Sequence, residues 1–291
     1  MKRNLAMLML AVAMHAGTSL AAPVLPPLVD PPTALRIPGK FIWFDLVTGD
    51  PQAARVFYGK VFGWSFQAVP GGKDYAVIAA NGRPIGGIFQ PAASGDRPVG
   101  TRWLSFVSVG DMEAILGKLA GLGFVQLLPA TSVPGRGVQA VLRDPQGAIL
   151  GLLQSASGDP PDEPVGPGEF FWVDLYARDA AAAAAAYEQV GYAIFPAAED
   201  EGDRVLLAAG GYARAGITPL PSEGREPGWL PYVQVENVAA TIAAAEAAGG
   251  QVLLPPDPEV LAGNVAVIGD PLGGVIGVIH WESDADEGAQ P

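Results

Sequence analysis

The chain has 291 residues, of which 49% are hydrophobic, and a formal net charge of −13 at pH 7. Such an acidic surface repels phosphate backbones and anionic lipids, which argues against nucleic-acid binding and membrane-surface binding. The chain has no cysteine, which excludes disulfides, thiol chemistry and a lipid-modified cysteine.

The first residues have the order of a secretory signal peptide. Lys2 and Arg3 precede a mostly apolar run over residues 5–16, and Ser19 and Ala21 stand at the positions that a signal peptidase reads. The alternative, an uncleaved membrane anchor, would need a longer apolar run of roughly 20 residues. We therefore predict a signal peptide over residues 1–21 and a secreted or periplasmic protein that has no membrane attachment after cleavage.

A proline-rich stretch follows, and after it four segments carry the start and stop signals of short helices. Residues 22–37 have the composition of an extended spacer. Each later segment begins with Asp or Asn, which can accept the backbone N–H groups of the first helical turn, and ends at glycine, which can adopt the left-handed conformation. These predicted helices are 50–63, 111–123, 179–191 and 237–250.

Each predicted helix lies between strand-like segments. The apolar runs before the helices are 42–47, 103–109, 170–176 and 230–235, and short β-like pieces separated by turn residues follow each helix. The repeating unit is therefore strand–helix–several strands, about 60 residues long and written four times. One such unit buries too little apolar surface to fold alone, so we expect two units to share a sheet in one domain.

The second half of the chain repeats the first. The stretch FIWFDLVTGD, which contains Trp43 and Asp45, returns 129 residues later as FFWVDLYARD, which contains Trp172 and Asp174. The stretch DPQGAILGLL returns 126 residues later as DPLGGVIGVI. This pattern indicates a tandem duplication of one domain. The predicted boundaries are 38–156 for domain 1, 157–167 for a Pro-, Gly- and acid-rich linker, 168–283 for domain 2 and 284–291 for a disordered acidic tail.

Three stretches of the chain carry a resemblance to a known family: WFDLVTGDPQAARVFYGKVFGW, WLSFVSVGDMEAILGKLAGLGF and DPQGAILGLL. They resemble the vicinal oxygen chelate superfamily, which includes glyoxalase I, bleomycin-resistance proteins and extradiol dioxygenases. The chain is most similar to the tandem two-domain glyoxalase-like members. The resemblance implies an α+β fold in which each domain consists of two paired βαβββ modules, whose sheet curls into a cup that holds the ligand.

Catalytic members of that superfamily hold a divalent metal with His, Gln or Glu side chains that face the cup. The corresponding positions of this chain are Trp43, Leu104 and Gly151 in domain 1 and Trp172, Leu230 and Gly277 in domain 2. None of these side chains can ligate a metal. The histidine outside the signal, His280, should point away from the face of Gly277 because strand side chains alternate. We therefore predict no metal and no cofactor.

The repeated stretch supplies an indole and a carboxylate instead. Residues two apart on a strand point the same way, so each tryptophan and its aspartate should face the cup together. A buried carboxylate must meet a donor, water or a cationic ligand. In one interpretation the pair belongs to a ligand pocket. In the other, Trp43 fills the core and Asp45 bonds a neighbouring loop or an arginine. Arginines that could pair with Asp45 or Asp174, or bind a ligand anion, are Arg102, Arg136, Arg143, Arg178, Arg204, Arg214 and Arg225, and Tyr75 and Tyr212 could line the cups or pack in the core.

The function expected from these observations is binding of a small organic molecule in the cup of an exported, metal-independent protein. The candidate ligand-binding residues are Trp43, Asp45, Leu104, Gly151, Trp172, Asp174, Leu230 and Gly277. One alternative is an enzyme, a lyase, isomerase or dioxygenase that uses non-standard metal ligands or aspartate acid–base chemistry. Another is a structural module with filled cups. The sequence predicts no catalytic residue and leaves enzyme activity, ligand identity and oligomeric state open.

Overall fold

The computed structural model describes residues 23–72, 75–91, 100–197, 203–220 and 226–281. The predicted signal peptide (1–21), the predicted acidic tail (284–291) and Arg225 lie outside the described residues. Within those ranges, no helix is long and apolar enough to cross a membrane.

The first half of the chain folds into two βαβββ modules. Module 1 contains β1 (Phe41–Val47), α1 (Pro51–Phe62), β2 (Ser65–Ala68), β3 (Tyr75–Ala80) and β4 (Arg83–Phe89). Module 2 contains β5 (Arg102–Ser108), α2 (Met112–Gly121), β6 (Val125–Val133), β7 (Gly137–Arg143) and β8 (Ile149–Ser155).

The second half repeats this order of elements. Module 3 contains β9 (Phe170–Ala177), α3 (Ala180–Gln189), β10 (Ala193–Pro196), β11 (Val205–Ala209) and β12 (Tyr212–Pro219). Module 4 contains β13 (Gly228–Gln234), α4 (Val238–Ala247), β14 (Gln251–Leu254), a 3-10 turn (Leu261–Gly263), β15 (Val265–Gly269) and β16 (Val275–Ile279).

Each half forms one eight-stranded mixed sheet. The strand order is β2-β3-β4-β1-β5-β8-β7-β6 in the first sheet and β10-β11-β12-β9-β13-β16-β15-β14 in the second. The first strands of the two modules pair antiparallel at the centre, β1 with β5 and β9 with β13. Each of these central strands also pairs parallel with the last strand of its own module. The predicted α+β fold of two duplicated domains is confirmed.

The four predicted helices are present, and the predicted caps explain where they begin. The N-cap side chains accept hydrogen bonds from the backbone N–H three residues on, at 3.0 Å for Asp50, 3.0 Å for Asp111, 2.8 Å for Asp179 and 2.8 Å for Asn237. Helix α1 ends at Gly63, whose φ of 69° lies in the left-handed region that favours glycine.

One apolar core joins the two sheets and their helices. The Phe44 ring on β1 stacks on the Phe170 ring on β9, with the ring centroids 3.9 Å apart. The Trp64 indole donates a hydrogen bond of 2.6 Å across the domains to the Gly168 carbonyl. This shared core covers one face of each sheet, so the opposite face is left to form the cup.

Two tyrosines cross between the domains in opposite directions. The Tyr58 hydroxyl donates to Asp270 Oδ2 at 3.0 Å, and the Tyr187 hydroxyl donates to Asp144 Oδ2 at 3.4 Å. Tyr187 is the duplicate of Tyr58, and Asp270 is the duplicate of Asp144. The contact is therefore reciprocal, as in the isologous interface of a twofold dimer.

The predicted linker and spacer both pack against the domains. The linker residue Asp162 accepts hydrogen bonds of 2.6 and 2.9 Å from Arg214 on β12, and the Lys40 ammonium lies 2.9 Å from the same carboxylate. In the spacer, Leu25 is only 8% exposed, and its N–H donates to the Pro134 carbonyl at 2.9 Å. Residues 23–37 are thus more than a spacer, because an apolar residue between the prolines, Leu25, is buried against domain 1.

Candidate functional site

The first two positions aligned with metal ligands in domain 1 lie on adjacent strands at the centre of the sheet. Trp43 on β1 and Leu104 on β5 are both buried, at 1% and 2% exposure, in a cluster that also contains Phe106. Gly151 on β8 is in register with Phe106 on β5. We call this face of the first sheet cup 1 and the equivalent face of the second sheet cup 2.

An aromatic ring covers the third aligned position in each cup. A Cβ atom added at Gly151 would collide with the ring of Phe106, and one added at Gly277 would collide with the ring of Tyr232. Phe106 and Tyr232 are duplicates of each other. The ring therefore fills the space that a glutamate side chain would need, and glycine is the residue that fits beneath it.

Three side chains of cup 1 form a closed hydrogen-bonded set. The Trp43 indole N–H donates to Asp45 Oδ1 at 2.8 Å and also lies 3.1 Å from the Tyr75 hydroxyl. Tyr75 in turn donates to Asp45 Oδ1 at 2.8 Å. Burial raises the pKa of Asp45, because removal of water disfavours the carboxylate, and Arg136 and the two hydrogen bonds oppose this only in part. Burial and the nearby Asp45 charge hold the pKa of Tyr75 well above its usual value.

Arg136 enters cup 1 from the turn between β6 and β7. Its side chain is fully buried, and its guanidinium carbon lies 3.6 Å from the centroid of the Trp43 ring, in cation–π geometry. Within the described ranges, none of its three guanidinium nitrogens has a hydrogen-bond partner. Burial lowers the pKa of Arg136, and the charges of Tyr75 and Asp45 act in the opposite direction.

Cup 2 repeats the indole–carboxylate pair but surrounds it differently. The Trp172 indole donates to Asp174 Oδ1 at 2.9 Å, and Arg204 donates to the same oxygen at 3.0 Å. Arg204 is the duplicate of Tyr75, so an arginine replaces a tyrosine as the second donor. The hydroxyls of Tyr176 and Tyr232 lie 3.0 Å apart. Cup 2 thus has two phenols beside its indole, carboxylate and guanidinium, whereas the corresponding set in cup 1 has one phenol, Tyr75.

The two cups also differ in exposure. Trp172 and Tyr176 are partly exposed, whereas Trp43 is buried. Leu25 of the N-terminal segment packs into the same cluster as Trp43, and Leu28 packs against it. This segment therefore closes cup 1.

Each predicted tryptophan is hydrogen-bonded to its predicted aspartate, but several neighbouring residues of the cups were not predicted. Leu230 lies in the same apolar cluster as Tyr232 and Trp172, and Gly277 lies beneath Tyr232. Tyr176, Tyr232 and Phe106 were not among the predicted site residues. The duplication offset could have identified the last two as a pair. Tyr212, suggested as a residue that could line a cup, lies at the start of β12 with its side chain 58% exposed.

The described residues contain no group of three or more His, Cys, Asp or Glu side chains that could hold a metal ion. His280 is partly buried, and its Nδ1 lies 3.0 Å from the Val235 carbonyl oxygen.

Comparisons with known proteins decide the family. The family model of the Glyoxalase/Bleomycin resistance protein/Dioxygenase superfamily matches residues 40–152. A Mycobacterium tuberculosis protein named "Putative glyoxylase CFP32" is 30% identical over 243 residues, which are 81% of this chain and 93% of that protein. The chain belongs to this superfamily.

A further similar protein and a solved structure match over most of the chain. The anthracycline biosynthesis protein DnrV of Streptomyces peucetius is 26% identical over 261 residues, which are 84% of this chain and 94% of that protein. The crystal structure of the Mn(II)-bound glyoxalase from Novosphingobium aromaticivorans superimposes with a TM-score of 0.59 at 15% identity, and covers 84% of this chain and 83% of that one. The structural likeness supports the same fold.

Proposed function

We propose that this protein is exported and binds a small organic molecule in cup 2 without a metal ion. The observation that carries the proposal is the set of an indole, a carboxylate, a guanidinium and two phenols on one face of the second sheet, of which Trp172, Tyr176 and Arg204 are partly exposed. Ligand pockets combine apolar and aromatic walls with a few convergent polar groups. Export rests on the signal-like order of the first 21 residues.

The chemistry of cup 2 favours a neutral aromatic ligand that carries an oxygen substituent. The Trp172 ring offers an apolar face against which a flat molecule can stack. The charges of Asp174 and Arg204 offset each other at 3.0 Å, so a charged ligand gains little there. The hydroxyls of Tyr176 and Tyr232 can donate to a carbonyl or accept from a phenol.

Metal independence is supported by the residues at the aligned ligand positions. The Trp172 indole N–H is hydrogen-bonded to Asp174 and offers no lone pair, the Leu230 side chain has no atom that can ligate a metal, and Gly277 is covered by the Tyr232 ring. A catalytic metal site needs several side-chain ligands with lone pairs directed at one point. This set of side chains offers a surface for an organic molecule in place of such a centre.

Calorimetric titration with 1-naphthol and 1-tetralone tests the proposal. We expect both probes to bind with an affinity that EDTA or added Mn²⁺ leaves unchanged. Trp172→Ala should weaken the binding by at least about tenfold, because the loss of one aromatic contact costs about 1.4 kcal/mol. Tyr212→Ala, which removes an exposed aromatic ring at the start of β12, is the matched control and should bind like the parent. Failure of both probes to bind, or binding that requires Mn²⁺, would contradict the proposal.

A second candidate function is acid–base catalysis by Asp45. The raised pKa of this carboxyl favours it, because catalytic acids and bases in enzymes have shifted values. Both hydrogen bonds to Asp45 come from neighbouring side chains, and Leu25 closes cup 1. The geometry therefore fits ligand binding in cup 2 better than catalysis by Asp45. A turnover that Asp45→Asn abolishes without loss of folding would favour this candidate.

A further inference from the structure

Arg136 is a buried cation whose donors have no visible use in the fold. Its side chain has 0% exposure, and its three guanidinium nitrogens have no hydrogen-bond partner within the described ranges. A guanidinium keeps its charge at every ordinary pH, and its removal from water without acceptors is unfavourable. Folded proteins seldom leave such a group unsatisfied unless another molecule completes it.

The position of the guanidinium determines which chemistry would complete it. One face of the group lies against the Trp43 indole at 3.6 Å. Its N–H bonds lie in the plane of the group, so they point sideways, past the indole. This planar fork matches the two oxygens of a carboxylate. The carboxylate of Asp45 is bonded to Trp43 and Tyr75 instead.

The N-terminal segment closes the space next to this fork. Leu25 packs in the cluster that contains Trp43, and its carbonyl oxygen lies against Gly135, the residue before Arg136. Within the described residues, three hydrogen bonds hold residues 23–29: Leu25 N–H to the Pro134 carbonyl at 2.9 Å, and the N–H groups of Leu28 and Val29 to Ser157 Oγ at 2.9 and 3.2 Å. The segment has no helix or strand of its own.

We infer that cup 1 is a second ligand site, which takes a small carboxylate with an apolar body. Arg136 binds the carboxylate, the cluster around Trp43 takes the apolar body, and residues 23–29 move away to admit the ligand in place of the Leu25 side chain. The inference concerns cup 1 and stands apart from the function proposed for cup 2. The two sites differ in ligand class, since cup 1 presents a guanidinium that has no hydrogen-bond acceptor within the described ranges, whereas the guanidinium of cup 2 is bonded to Asp174.

Titration of the protein with benzoate, and with benzyl alcohol as its uncharged counterpart, tests the site. We expect Leu25→Ser, which weakens the closure, to bind benzoate about tenfold or more tightly than the parent, because the open state is then more populated. Arg136→Met should lose this binding, and neither protein should prefer benzyl alcohol. Arg136→Lys keeps the positive charge but lacks the planar fork of N–H donors, so it should bind benzoate more weakly than the parent. This variant tests the site if Arg136→Met does not fold.

Hydrogen exchange identifies the moving segment. Benzoate should speed exchange at the amides of Leu25, Leu28 and Val29, whose hydrogen bonds hold the segment closed. Arg204→Met, the matched change in cup 2, should leave benzoate binding intact, which separates failure of this inference from failure of the function proposed for cup 2. Three results would each overturn the inference: no benzoate binding to Leu25→Ser, equal binding to Arg136→Met and the parent, or binding without faster exchange in the segment.

Discussion

The indole–carboxylate pair recurs in both halves with nearly the same hydrogen bond, 2.8 Å in cup 1 and 2.9 Å in cup 2. The duplicated strand fixes this bond, because residues two apart lie on one face of the sheet. The second donor to the carboxylate changes from a tyrosine to an arginine. The two aspartates therefore have different electrostatic surroundings on the same backbone.

The two tryptophans should contribute unequally to stability. Trp43 is 1% exposed and packs beneath Arg136, so Trp43→Ala should lower the free energy of unfolding by about 3–5 kcal/mol. Trp172 is partly exposed, so Trp172→Ala should lower it by less, about 1–2 kcal/mol on the same scale. Urea unfolding of both variants measures the difference. Equal losses would show that cup 2 is as closed as cup 1.

The raised pKa of Asp45 predicts a definite pH dependence. A carboxyl whose pKa is higher in the folded protein than in the unfolded chain stabilises most at low pH, and this contribution is lost as pH rises from about 4 through the raised value. Asp45→Asn cannot titrate, so the parent should lose stability relative to this variant over that window. Chemical unfolding of both proteins from pH 4 to pH 8 tests this. If the free energy of unfolding of the parent instead rises relative to that of Asp45→Asn as pH rises, the fold stabilises the ionised carboxylate, which would contradict the raised pKa.

At the scale of elements, local signals predicted the four helices well and the covering segments poorly. The caps at Asp50, Asp111, Asp179 and Asn237 act within one helical turn, so a short window of sequence contains all the information. The closure of cup 1 by Leu25, by contrast, depends on residues far along the chain. Nothing in the local sequence distinguishes Arg136, whose side chain is buried, from an arginine on the surface.

The linker is an element with its own ion pairs. Hydrogen bonds from Arg214 and then Lys40 lower the pKa of Asp162 to about 2. A depressed carboxyl pKa gives stability that is present above the unfolded value of about 3.9 and is lost as pH falls through the folded value.

Asp162→Asn should therefore lower the free energy of unfolding at pH 7 by at most about 2 kcal/mol, because the pair is partly exposed. The difference between parent and variant should shrink between pH 4 and pH 2. Thermal unfolding at several pH values in that range measures it, with Glu226→Gln, which removes an exposed ion pair to Arg178, as the control expected to change little. A difference that stays constant down to pH 2 would show that the carboxylate charge is not what matters.

At the scale of the whole molecule, the two domains pack as if they were subunits of a dimer. Their shared core includes the stacked Phe44 and Phe170 rings and the reciprocal tyrosine–aspartate bonds. The duplication could be recognised in the sequence, and so could the sheet of each half. The way the halves face each other could not, because Tyr58 and Asp270 are related only through the folded core.

The reciprocal bonds give a matched pair of variants. Tyr58 donates to Asp270 at 3.0 Å and accepts from the Trp103 indole at 3.1 Å, whereas the Tyr187 bond to Asp144 is longer, at 3.4 Å. Tyr58→Phe removes the hydrogen-bond partner of the buried Trp103 N–H and of Asp270 Oδ2, and should cost about 1–3 kcal/mol. Tyr187→Phe should cost less than Tyr58→Phe. Urea unfolding that ranks them in the opposite order would contradict the geometric argument.

The central claim is that cup 2 uses indole, carboxylate and phenol groups to bind an organic molecule without a metal. Native mass spectrometry of protein purified from its source organism, with metal analysis of the same sample, tests it most directly. The account predicts a small organic molecule retained by the protein, no stoichiometric Mn, Fe, Ni or Zn, and a melting temperature that EDTA leaves unchanged. One tightly held metal ion per domain, whose removal releases the bound molecule, would contradict it.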